Sequence, residues 1–297
     1  MTRTRRSARP ACRCVGLLGA AVMVASGAAA AQPTDLLFER AMMSAADARC
    51  GLFAPDVAAA LAAGVAQARG AALRAGAGRE DLAGVERRAR DRAARLDCRS
   101  PDLVREAERV RDAFAGYRQV TRMTWPGAVA DWRADRGLGR APRWRLAQDV
   151  AFGADRMTFG LAGREGASGL VAVAAFAAGK APYAARLEVR DAARTLGPYL
   201  GLGGGAAPLS RRLPPAPATR GFLAEARAPA EGELLPRGAE RGWAFRFPAA
   251  AAEALAGLDP REAVAVEFLF PGGRTRTAYV EVGDFAAARA FVQMAAR

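Results

Sequence analysis

Between positions 34 and 123 the apolar residues recur at helical spacing, and the gaps in that pattern fall at helix punctuation. Thr34 or Asp35 can cap a first helix that runs to about Arg49, with Gly51 just past its end. A second helix starts at Pro55 and Asp56, presents Val57, Leu61, Val65, Ala68 and Leu73 on one face, and stops at the Gly76, Ala77, Gly78 stretch. Leu82, Val85, Ala89 and Leu96 mark a third. Ser100, Pro101 and Asp102 then read as N-cap, N1 proline and first-turn acid of a fourth, which carries Leu103, Ala107, Val110, Phe114 and Tyr117. The short connections predict an antiparallel, up-down bundle over residues 32–124.

After Trp125, Pro126 and Gly127 the period changes, and short β-type runs bounded by Gly and Pro take over. Strands are predicted at 144–150, 157–161, 170–176, 184–189, 222–226, 243–247, 263–270 and 275–282. Residues 125–142 read as a junction and 201–219 as a Gly- and Pro-rich linker. The flanks of that linker, 143–200 and 220–297, resemble each other. Residues 170–191 align without gaps on 263–284, matching Gly179 with Gly272, Glu188 and Val189 with Glu281 and Val282, and Asp191 with Asp284. Each copy is expected to be two strands joined as a hairpin, followed by a short helix. The predicted fold class is therefore α+β, a helical bundle followed by a sandwich-like, internally duplicated β part.

The first 31 residues follow a different logic. Five arginines (Arg3, Arg5, Arg6, Arg9, Arg13) precede an apolar run over 15–25, and small residues continue to Ala31, with Ala29 and Ala31 as an A-x-A cleavage site. That is the layout of a secretory signal peptide. The expected location is periplasmic or extracellular, with no transmembrane segment in the processed chain. Cys12 and Cys14 would leave with the signal, so Cys50 and Cys98 remain as a lone pair and are expected to form one disulfide. In the up-down arrangement they sit at the same pole, at the ends of helices one and three.

Composition then narrows the chemistry. The chain of 297 residues has 44 Lys+Arg, 30 Asp+Glu and no His, a formal net charge of +14. Losing five arginines and no acid with residues 1–31 lowers that to +9. Without histidine there is no Ser-His-Asp triad, no Cys-His pair and no HExxH zinc site. The charge is dispersed, which speaks against nucleic acid as partner. Alanine fills about a quarter of the chain while Asn and Ile are absent, a bias that fits GC-rich coding. An arginine stripe on the third helix (Arg88, Arg92, Arg95, Arg99) reads as a solvated face, with Glu86 pairing Arg90 and Asp91 pairing Arg95.

Glycine-rich and serine motifs lack the context their chemistry needs. Gly201, Gly203 and Ala206 satisfy G-x-G-x-x-A, but prolines follow where a helix should open. No metal site or cofactor is expected. An enzyme could still work through paired carboxylates, as glycosidases do, and the repeat-related Glu188/Asp191 and Glu281/Asp284 are the obvious pairs. Helix capping, an ordinary role for Asp at a strand end before a helix, is the favoured reading of these aspartates. For binding, the segment with Trp125, Trp132 and Trp144 interleaved with Arg133, Arg136 and Arg140 stands out, because indoles stack on sugars and guanidinium forks hold carboxylate or phosphate. Tryptophans packed as glue at a junction are the other reading.

Glu262, the alternating Val264 and Val266, Glu267, and then Val282, Gly283, Asp284 and Phe285 leading into alanines 286–288 resemble the closing strand, hairpin and helix of the invasion-associated locus B family of secreted bacterial proteins. The resemblance implies a β-rich envelope protein with no catalytic residues to carry over. Together these observations predict an exported, non-catalytic protein that binds an envelope component or partner protein. The alternative is an envelope enzyme using acid pairs alone.

Overall fold

The computed structural model describes residues 32–139, 141–164, 167–177, 181–201 and 207–294. The signal-like segment and Arg140 lie outside the described residues. Four helices come first: α1 (Pro33–Cys50), α2 (Pro55–Arg74), α3 (Arg79–Ala94) and α4 (Pro101–Tyr117). Ser100 caps α4 as expected, its Oγ accepting from the Leu103 amide at 3.3 Å. The start of α1 corrects the sequence reading. Pro33 opens the helix after Gln32, so Thr34 and Asp35 fall inside the first turn and cap nothing. Cys50 and Cys98 are joined, with their Cα atoms 5.6 Å apart, and tie the end of α1 to the turn after α3.

The strand region is an α+β arrangement of two antiparallel sheets. One has seven strands in the order β1 (Arg122–Trp125), β2 (Trp132–Asp135), β3 (Arg143–Phe152), β4 (Asp155–Arg164), β5 (Ala167–Ala175), β9 (Gly242–Arg246) and β8 (Ala226–Ala230). The other runs β11 (Arg274–Glu281), β10 (Ala263–Phe270), β6 (Ala184–Arg190) and β7 (Thr219–Leu223). Helices α5 (Ala249–Ala256) and α6 (Phe285–Gln293) complete the fold. The main core lies between the inner faces of the sheets, where Phe159, Phe245, Phe268, Phe285 and Phe291 are fully buried. Along β10 the alternation is clean: Val264, Val266, Phe268 and Phe270 point into this core.

Helix α2 joins the two parts. Its Leu73 and Ala68 pack toward α1 and α3, while Ala60 and Ala63 belong to the core of the sheets. Small side chains allow that second contact. A Cβ on Gly70 would stand 3.0 Å from an Asp284 carboxylate oxygen and 3.7 Å from Pro260, so α2 approaches the α6 end closely only with glycine there.

The segments aligned as a duplication fold differently. β10 and β11 pair as a hairpin through Pro271, Gly272 and Gly273, both glycines having positive φ (76° and 73°). β5 and β6 instead sit in different sheets. The aligned sequence explains why: Lys180 stands where Gly273 supplies positive φ, and Pro182 stands where Thr275 pairs with Leu269 and a ladder donor is normal. The expected helix after β6 is also missing, since Asp191 begins a turn. The predicted strand at 222–226 divides into the end of β7 and the start of β8, in different sheets. The described end of the 201–219 stretch is packed: Arg212 is buried and donates to the Ala207 carbonyl at 2.7 Å.

Candidate functional site

The four acids of the carboxylate reading occupy separate settings. Glu281, at the end of β11, is 3 % exposed and accepts hydrogen bonds from three consecutive amides, Ala128 (2.9 Å), Val129 (2.7 Å) and Ala130 (3.2 Å). The loop between β1 and β2 thus wraps its N–H groups around a carboxylate, an anion nest made within the chain. Gln148 of β3 completes the clasp by accepting from the Glu281 amide at 3.0 Å. Asp284 takes the N-cap position of α6, yet it makes no side-chain cap and accepts from Arg74 of α2 at 2.7 Å. Asp191 caps no helix; its carboxylate receives the Ala193 amide at 2.9 Å in a local turn. Glu188 pairs with Arg186 at 2.8 Å. Glu188 faces Ala265 and Glu281 faces Ala263 across the sheet, two strand spacings apart, which separates their backbones by about 12 Å.

The tryptophan and arginine segment does not form a single surface. Trp125 and Trp132 are cross-strand partners in β1 and β2, 3 % and 0 % exposed. Trp125 meets the ring of Phe291 at 5.4 Å and Trp132 that of Phe285 at 5.2 Å, both near edge-to-face. The Trp132 indole N–H donates to the Val282 carbonyl at 2.9 Å. Arg136 is buried with its guanidinium 4.9 Å from the Phe291 ring centre. These three residues glue the β1–β2 hairpin to α6. They present no face to a ligand.

Arg133 and Trp144 lie on the opposite, outer face of the seven-stranded sheet, and there a groove opens. Alternation places Arg122 and Thr124 of β1, Arg133 and Asp135 of β2, and Ala147 and Asp149 of β3 on that face, with Thr158 of β4 beside them. Arg122 pairs with Asp135 at 3.0 Å and Arg133 with Asp149 at 2.7 Å. Thr158 donates its hydroxyl to Asp149 at 2.8 Å. The far wall is the 231–241 loop, which contributes Glu233, Leu235 and Arg237.

Trp144 is half-buried at the meeting of sheet and loop. Its indole N–H donates to the Leu234 carbonyl at 3.2 Å, and its ring leans on a small apolar cluster that includes Val171, Val173 and Leu235. The indole is thereby fixed in orientation. The groove encloses about 490 Å³, and an adjoining recess lined by Ala141, Arg143 and Trp144 extends it. Four arginines face three carboxylates around these two hollows. The arrangement can stack a ring on the indole and offer guanidinium donors to an anionic substituent. Among the described residues no three Cys, Asp or Glu side chains gather as a metal site.

Sequence reasoning missed Arg122, Asp135, Asp149 and the 231–241 wall. Asp149 had a signal, since it lies in the strand predicted at 144–150, whereas Arg122 and Asp135 sit on strands of four residues, too short to establish a period. The wall had none. The α3 stripe also differs from expectation: Arg88, Arg92, Arg95 and Arg99 are exposed, but Glu86 pairs with Arg69 of α2, and the Asp91 to Arg95 contact is not made. No family model, no curated protein and no solved structure matches the chain.

Proposed function

We propose that this chain is an exported, non-catalytic binding protein that holds an anionic glycan of the cell envelope in the groove beside Trp144. The observation that carries this reading is the oriented, half-buried indole flanked by Arg133, Arg143 and Arg237 on an open sheet face. Sugar rings stack on such indoles, and bidentate guanidinium groups recognise carboxylate or phosphate substituents. Export accords with the arginine-led apolar start of the sequence, with the Cys50–Cys98 bridge, and with the lack, among the described residues, of any helix long and apolar enough to cross a membrane. The resemblance of residues 262–288 to secreted proteins points the same way.

The paired-carboxylate alternative has less support. Glu281 and Asp284 are held in place by donors from other elements, and Glu188 and Asp191 lie on local partners. Calorimetric titration with soluble anionic peptidoglycan fragments, against neutral maltohexaose, tests the binding. The expected result is saturable binding of the anionic fragments alone, weakened by Trp144→Ala. Equal binding of both sugars, or of neither, would contradict it.

A further inference from the structure

A separate hollow lies among the helices. α1 packs against α2 and α3, while α4 rests on α2, so α1 and α4 leave a trough between them. It encloses about 580 Å³, within the range of small-ligand sites. Its walls are apolar and adaptable: Leu36 and Met43 from α1, Leu61 from α2, and Val110, Phe114 and Tyr117 from α4. Glycine on α2 lets Phe114 close onto the floor, since a Cβ on Gly64 would come within 2.9 Å of the Phe114 ring.

Glu39, Arg40, Glu106 and Arg109 also line the trough; Glu39 is exposed at the rim and Glu106 is paired with Arg109, so Arg40 is the charged group that reaches inward. Arg40 is half-buried, and one of its terminal nitrogens donates to the Gly64 carbonyl at 2.7 Å. Among the described residues it has no carboxylate within salt-bridge distance, whereas Arg109 at the rim is already paired with Glu106. A guanidinium withdrawn from water without a counter-ion is costly unless an anion completes it. Burial accordingly lowers the Arg40 pKa, with Tyr117 and Glu39 opposing that shift. Apolar walls with one unmatched cation at their edge are complementary to a single-chain amphiphile bearing an anionic head.

We infer that the α1, α2 and α4 trough binds such an amphiphile, a fatty-acid-type molecule, with its chain along Met43, Leu61 and Phe114 and its head on Arg40. This site is independent of the groove beside Trp144, so either can fail alone. The test is displacement of an anilinonaphthalene sulfonate probe from the full chain by dodecanoate, dodecanol and dodecyltrimethylammonium, each below its micelle concentration.

Dodecanoate is expected to displace the probe saturably and about tenfold better than the cationic amphiphile. Arg40→Met, which keeps the stem length, should abolish that preference while retaining dodecanol binding. Ala113→Trp, at an exposed rim position, should block all three chains with the far-UV spectrum unchanged. Equal displacement by the anionic and cationic chains, or undiminished dodecanoate binding by Ala113→Trp, overturns the inference. Self-association dissolved by Ala113→Trp, without dodecanoate binding, also overturns it and makes the trough a subunit interface.

Discussion

Replacing Glu281 discriminates sharply between a structural and a catalytic carboxylate. In the native chain its two oxygens receive three amide N–H groups at 2.7–3.2 Å while the residue is almost fully buried. Hydrogen bonds to a charged acceptor contribute about 1.5–3 kcal/mol each, so three set an upper bound near 4.5–9 kcal/mol. Two effects reduce that figure. Ala128 and Val129 are exposed, so water can solvate their amides in the variant, and removing the carboxylate also removes the cost of burying a charge. The net loss for Glu281→Ala should be about 3 kcal/mol, lowering Tm by roughly 6–12 °C.

Glu281→Gln keeps one acceptor oxygen but turns an NH₂ toward the same donors, so it should lose about 1–2 kcal/mol. Urea denaturation followed by tryptophan fluorescence reads both, and hydrogen exchange at residues 128–130 should accelerate in step. A catalytic carboxylate held at a cost to the fold would behave in the opposite way, and its amide variant would be as stable as the parent or more so. Wild-type urea midpoints for both variants would refute the reasoning.

Other consequences follow from the same contacts. The 48-residue separation of Cys50 and Cys98 implies that Cys50→Ser with Cys98→Ser loses about 4 kcal/mol, and dithiothreitol should lower the melting temperature of the parent but not of the variant. The buried pair of Arg190 and Glu262, whose side chains are 1 % and 0 % exposed and which meet at 3.0 Å through a second nitrogen and oxygen, is a separate test. Glu262→Gln should cost about 3–5 kcal/mol by leaving a buried guanidinium unmatched, and Arg190→Met added to Glu262→Gln should recover part of it, since the glutamine oxygen still offers an acceptor to the Asp259 and Tyr199 amides; equal losses in both would argue against the pair. Burial raises the Tyr117 pKa, with Arg136 and Arg40 opposing. Since the folded state then holds that proton more tightly than the unfolded one, the contribution to stability is complete below about pH 10 and falls as pH rises through the folded value. Phenolate absorbance should show a late-titrating component that Tyr117→Phe removes.

The helices, the disulfide and most strands were legible because their signals are local. Prolines at the first helical position, Ser100 as a cap and the alternation of β10 each act within a few residues. The helix α5 was missed because its Ala-rich run carries almost no amphipathic contrast, and the second buried face of α2 for the same reason. β1 and β2 were missed because four residues are too few to establish a period. The duplication misled where backbone chemistry departs from side-chain similarity, as with Lys180 against Gly273.

At the site, Trp144 and Arg133 were found from composition of the segment, but their separation from Trp125 and Trp132 depends on strand parity. Neighbours along the chain point to opposite faces, so three tryptophans within twenty residues divide between core and groove. Glu281 and its amide nest join positions more than 150 apart, a contact for which local sequence carries no signal.

The most direct test of the binding account is hydrogen exchange of the chain with and without anionic peptidoglycan fragments. The account predicts slowed exchange confined to residues 122–124, 133–135, 144–149 and 231–237, and its loss in Trp144→Ala. Protection of a different surface, or none at saturating ligand, would contradict it.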